Sequence, residues 1–78
     1  MIYEIKLQIV KHDFAYEVDY SDEENITIFS DNDDSALIGA IDEGVKRLKK
    51  DVKKVIIFVL KDEYNVVGVM NLEHNKRR

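Results

Sequence analysis

Hydrophobic and polar residues alternate without exception from Tyr3 to Ile9. Tyr3, Ile5, Leu7 and Ile9 are interleaved with Glu4, Lys6 and Gln8, the period-two pattern of a strand with one buried face. The polar triplet Lys11–Asp13 offers a turn, after which Phe14, Tyr16, Val18 and Tyr20 resume the alternation against Ala15, Glu17 and Asp19. Two such runs with a short polar join predict an antiparallel hairpin. The charged run Ser21–Asn25 reads as a loop, and Ile26–Phe29 as a short third strand.

The period then changes. At 100° per residue, Leu37, Ile38, Ile41, Gly44, Val45, Leu48 and Val52 share an arc of about 120°, while Gly39, Asp42, Glu43, Lys46, Lys49, Lys50 and Lys53 fall opposite. This predicts one helix with an inward apolar stripe and a solvated face. Gly44 lies in the stripe, where a missing side chain lets a helix approach a sheet closely. Gly39 lies on the outer face, at a cost of about 0.5–1 kcal/mol relative to Ala and without a packing reason. Val55–Leu60 is apolar on both faces, as a central strand requires. Lys61–Asn65 turns the chain, Val66–Leu72 forms the last strand, and residues 74–78 read as a loose basic tail. The fold class expected is α+β, one domain over residues 1–73. It has two layers, a single helix packed on one face of a mainly antiparallel sheet, in the order β-β-β-α-β-β.

That layout leaves a row of the sheet uncovered. Ile56, Phe58 and Leu60 point away from Val55, Ile57 and Val59, and one helix covers only one of these rows. Val66, Met70 and Leu72 extend the uncovered row on this reading. A contiguous exposed apolar face is unusual on a monomer. A homo-oligomer is therefore expected, most simply a homodimer, packed sheet against sheet through Ile56, Phe58, Leu60 and Met70.

Composition limits the alternatives. Seventy-eight residues without cysteine make one small domain near the lower limit for an independent core, with no disulfide or thiolate metal site to support it. Apolar residues are 45% of the chain, too many for a disordered protein. The longest apolar run is Val55–Leu60, so no membrane association is expected. The N-terminal segment alternates like a strand rather than a signal peptide, and a cytoplasmic location is expected.

Charge is segregated along the chain. Between Asp13 and Glu43 there are eleven acids and no Lys or Arg, whereas Lys46–Lys54 holds six bases and the single acid Asp51. After Phe29, the spacing of Asp31, Asp33 and Ser35 resembles the nucleophile motif of haloacid-dehalogenase-type phosphatases. The match covers five residues and lacks the later lysine, hydroxyl and acidic pair of that much longer parallel fold. The window Asp31–Asp42 resembles an EF-hand calcium loop, but Ala36 replaces the glycine of its sharp turn and Asp42 its bidentate glutamate. A helix start accounts for the same residues. Asp31 or Asn32 caps the first turn, and Asp33 and Asp34 face the positive end of the macrodipole. Lys49 and Lys50 lie at the other end, with Asp42–Lys46 and Glu43–Arg47 as acid-first i,i+4 pairs. His12 and His74 have no nucleophile or metal-ligand partner at a suggestive spacing, and the three glycines are isolated. No enzyme, no metal site and no cofactor are expected.

Binding remains. The acids Asp22, Glu23 and Glu24 of the expected loop and Asp31, Asp33 and Asp34 of the helix start form a candidate acidic face for a basic protein partner. Small acidic inhibitors of the kind mobile elements encode use such a face as a nucleic-acid mimic. One alternative is a nucleic-acid binder whose helical ridge of Lys46, Lys49, Lys50 and Lys53 contacts phosphates. Another is a homodimeric structural subunit whose sheet packing is its function.

Overall fold

A computed structural model describes residues 1–62 and 65–74 of the chain. It contains β1 (Ile2–Asp13), β2 (Val18–Phe29), α1 (Asp33–Arg47), β3 (Val52–Lys61) and β4 (Asn65–Glu73). The four strands form one antiparallel sheet in the order β2-β1-β3-β4, and the helix packs on one of its faces. The class is α+β as expected, but the element order is β-β-α-β-β.

The extra strand disappears because two expected strands are one. β1 and β2 pair without interruption from Ile2↔Phe29 to Asp13↔Val18, so Ser21–Asn25 is not a loop. These polar residues lie on an edge strand opposite Val10–Lys6 and remain exposed. An edge position beyond the helix needs no apolar face. The turn moves from Lys11–Asp13 to Phe14–Glu17. There Asp13 Oδ1 accepts the backbone N–H groups of Ala15 (2.9 Å) and Tyr16 (3.3 Å). Glu17 takes the left-handed conformation, with φ of 55°. An aspartate that holds the amides two and three residues on is a turn former in its own right, and the aromatic alternation around it conceals this.

Tyr3, Ile5, Leu7 and Ile9 of β1 and Val55, Ile57 and Val59 of β3 form the buried row under the helix. Ile26 and Ile28 of β2 and Met70 and Leu72 of β4 complete it from the sides. The buried line of the helix is Ala36, Ala40 and Gly44, at i, i+4 and i+8. Small residues along that line let the helix settle low on the sheet. A Cβ on Gly44 would lie 2.5 Å from Ile57 Cδ1 and 2.8 Å from Leu72 Cδ1, so the close approach expected there is present. The helix is rolled relative to the expected stripe, leaving Ile38 63% and Val45 57% exposed. Gly39 accordingly turns toward β2, and a Cβ there would meet Ile28 Cδ1 at an ordinary 3.5 Å.

The helix starts as its caps require. Asn32 Oδ1 accepts the Ser35 N–H at 2.8 Å, with Asp33 and Asp34 in the first turn. It ends at Arg47, short of the expected stripe. Leu48 donates its N–H to the Val45 carbonyl, and a tight turn delivers Val52 as the first, buried residue of β3. Val52 therefore contributes to the core from a strand. The molecule is elongated, 43 × 28 × 16 Å, because the β1–β2 hairpin runs past the helix. His74 follows β4 and donates from Nε2 to the Lys49 carbonyl at 2.8 Å. The rest of the expected tail, residues 75–78, lies outside the described residues, as do residues 63 and 64 of the last turn.

Candidate functional site

The six acids singled out from the sequence fall into two groups. Asp22, Glu23 and Glu24 lie mid-strand in β2, whereas Asp31, Asp33 and Asp34 lie at or before the start of α1. At about 3.3 Å per residue along an extended strand, Phe29 is about 16–23 Å from the Glu24–Asp22 segment. The alternation of β2 divides the first group further. Asp22 and Glu24 sit opposite Ile9 and Leu7 on the helix side, and Glu23 sits opposite Gln8 on the other face.

Half of these carboxylates are engaged inside the molecule. Asp22 pairs with Lys11 at 3.3 Å, and this hydrogen-bonded contact raises the Lys11 ammonium above its usual range. Glu24 accepts from Arg47 Nε at 2.8 Å, and the same guanidinium takes Glu43 Oε1 at 3.0 Å. Burial works against the Arg47 charge, but the two glutamates more than offset it and raise its pKa. Asp33 accepts from the Tyr3 hydroxyl at 2.6 Å and from Lys61 Nζ at 3.5 Å. Nearer the hairpin tip, Asp19 accepts from Lys53 Nζ at 2.8 Å and from His12 Nδ1 at 2.7 Å. Lys53 and then His12 hold that carboxyl below the usual carboxylate range.

The basic ridge does not exist as a helical face. Lys46 lies in the last turn of α1 and donates to Glu43 at 3.3 Å. Lys49 and Lys50 follow the helix in the turn to β3, and Lys53 is a strand residue bound to Asp19. The early end of the helix places the four lysines on three different local structures. The helix carries the Glu43–Arg47 pair as expected, with Lys46 joined to Glu43 as an i,i+3 pair.

The uncovered face of the sheet is divided lengthwise. β1 presents Glu4, Lys6 and Gln8, and β2 presents Thr27, Asn25 and Glu23 opposite them, with the exposed apolar pair Ile2 and Phe29 at one end of the same half. β3 presents Leu60, Phe58 and Ile56, and β4 presents Val66 opposite Leu60 and Val69 opposite Phe58. Val66 is 59% and Val69 56% exposed. Ile56, Phe58 and Leu60 thus lie on this face as expected. Met70 does not: it pairs with Ile57 and packs under the helix, as does Leu72 beside Val55. The bulge between Val59 and Leu60 shifts the alternation of β4 by one residue, which puts Val66 and Met70 on opposite faces.

A second exposed apolar group went unread in the sequence. Phe14 and Tyr16 in the hairpin turn are 79% and 78% exposed, and Val18 and Tyr20 follow them outside the helix cover. The Phe14 ring stands edge-on against His12, with centroids 4.5 Å apart. The signal that could have located this tip is Asp13, whose carboxylate holds the turn.

Among the described residues, no three His, Asp or Glu side chains are grouped to hold a metal ion. No helix among them is long and apolar enough to cross a membrane. The chain matches no family model, no curated protein and no solved structure.

Proposed function

We propose that this chain is a non-enzymatic protein-interaction domain that works through the uncovered face of its sheet. The observation that carries the reading is the apolar half of that face, where Phe58, Leu60, Val66 and Val69 lie side by side across β3 and β4. Side chains of this kind in register on a rigid sheet form a flat apolar platform, and such patches on small domains mark protein contacts. The polar half, with Glu4, Lys6 and Glu23, borders the platform as a rim.

The acidic-face reading has less support. Its six carboxylates occupy two separated segments, and Asp22, Glu24 and Asp33 already hold cations of the same chain. Glu23, Asp31 and Asp34 are its remaining candidates. A nucleic-acid role for Lys46, Lys49, Lys50 and Lys53 is weakened in the same way, by dispersal and by the pairing of Lys46 and Lys53.

Affinity capture from the native cell with three forms of the chain separates these readings. Wild type is compared with Phe58→Glu/Val69→Glu and with Glu23→Gln/Asp31→Asn/Asp34→Asn. The apolar-face reading expects partners to be lost only with the first variant. Loss confined to the second variant would transfer the function to the acids. A shift of labelled nucleic acid that disappears with Lys46→Ala/Lys49→Ala/Lys50→Ala would transfer it to the bases.

A further inference from the structure

The two edges of the sheet differ in the protection they carry. β2 forms one edge and places Asp19, Asp22, Glu23 and Glu24 along its length, with no base among its residues. β4 forms the other edge, and from Asn65 to Leu72 it carries no charged residue and no proline. An edge strand exposes a row of unpaired N–H and C=O groups, and proteins guard such rows with charge, proline or a bulge. β2 is guarded by charge. β4 has the bulge opposite Val59/Leu60 and a single acid, Glu73, at its end, which leaves Gly68–Leu72 uncharged and in regular register with β3.

We infer that the outer edge of β4 is the site of self-association, pairing antiparallel with β4 of a second copy to make one eight-stranded sheet. A second copy is the occupant because self-pairing of β4 brings uncharged residues opposite one another, whereas self-pairing of β2 would bring the acids Asp22, Glu23 and Glu24 of the two copies together. The two-fold axis of such a pair stands perpendicular to the sheet. Both helices then lie on one side and both uncovered faces on the other, and the contact is isologous and closed. Phe58, Leu60, Val66 and Val69 of each copy lie in the half of the face next to this edge. Pairing thus joins two half-width apolar strips into one. The edge is the backbone of β4 and the face its side chains. Val69 and Asn71 lie on that face, so amide hydrogen exchange, which reads backbone pairing of β4, separates edge pairing from a contact through the face.

The test uses the full chain and two charge variants at exposed positions of β4, Val69→Lys/Asn71→Lys and Val69→Glu/Asn71→Glu. Light scattering over a dilution series is expected to give a dimer for wild type and monomers for each variant alone. Association of each variant weakens about tenfold or more, as like charges meet across the axis. An equimolar mixture of the two variants is expected to recover the dimer. Amide hydrogen exchange is expected to slow in β4, and not in β2, as wild-type concentration rises. Circular dichroism establishes that both variants fold, and recovery on mixing is itself a positive result. A wild-type monomer throughout the series would overturn the inference. So would a dimer that survives either variant alone, or one whose β4 amides exchange no more slowly than those of the monomer. Failure of the partner-capture experiment alone leaves each of these outcomes unchanged.

Discussion

The Tyr3 hydroxyl donates a 2.6 Å hydrogen bond to Asp33 Oδ1 and so ties the central strand to the first residue of the helix. The phenol is pushed up to about 12, first by this bond to Asp33 and then by burial. Asp33 is held below the usual carboxylate range, chiefly by Tyr3, with Lys61 adding and burial opposing.

A pH dependence follows from the two directions. A raised tyrosine pKa stabilises the fold fully below the free phenol value near 10 and ceases to do so as pH rises through about 12. A lowered carboxylate pKa acts fully above the ordinary Asp range, and its contribution is lost as pH falls through the lowered value. Thermal unfolding of Tyr3→Phe against pH should therefore show a flatter alkaline limb and a flatter acid limb than wild type. Asp33→Asn should flatten the acid limb as well. Unchanged limbs in both variants would mean that the contact does not couple strand to helix.

The two helical glycines should respond oppositely to alanine. Gly44→Ala drives a methyl into Ile57 and Leu72 in the closest part of the helix–sheet contact. It should cost about 1–2 kcal/mol after its gain in helix propensity. Gly39→Ala meets Ile28 at ordinary contact distance and should stabilise by about 0.5–1 kcal/mol. Chemical denaturation of the two variants measures both, and a stable Gly44→Ala would show that the helix rides higher on the sheet.

Arg47 joins the end of the helix to the edge strand through Glu24, and its Nη1 also donates to the Glu43 carbonyl at 2.7 Å. Arg47→Met keeps most of the packing and removes the charge. Hydrogen exchange should then quicken in β2 around Glu24 more than in β4, with a global loss of about 0.5–1.5 kcal/mol. Equal acceleration in both edge strands would assign the effect to packing of the helix as a whole.

The two aromatic side chains of the hairpin tip should be neutral to stability, unlike the aspartate that holds its backbone. Phe14→Ser and Tyr16→Ser remove side chains that are more than three-quarters exposed, so the denaturation midpoint should stay within about 0.5 kcal/mol of wild type. Asp13→Ala, which releases the amides of Ala15 and Tyr16, should cost about 1 kcal/mol.

Strong local periodicity was legible wherever one face is buried. Tyr3–Ile9 alternates because the helix lies on one side of it, and Val55–Leu60 is apolar on both sides because it is central. β2 escaped that logic. Its outer half has no apolar face to display, so Ser21–Asn25 looks like a loop although it pairs residue for residue with β1. The end of the helix was obscured because Leu48 and Val52 keep helical spacing while serving a cap and a strand. The candidate acids could not be grouped from sequence. Whether Asp22 and Asp33 lie close depends on Ser21–Asn25 being bent or extended, and composition does not report that. The uncharged stretch Asn65–Leu72 was visible throughout, but an unguarded edge becomes meaningful only once the strand order puts it at the rim.

β1 and β2 precede β3 in the chain, yet β1 lies in the interior of the sheet, with β2 on one side and β3 on the other. During synthesis the β1–β2 hairpin therefore emerges before β3, with one flank of β1 bare until β3 has been made. The partners eventually joined there, such as Ile5 and Val59, are far apart in sequence, and contacts of that kind slow folding. Until then the nascent chain presents, briefly, a sticky inner seam that the finished protein no longer has, and early protection against aggregation falls to the acids on the opposite flank of the hairpin.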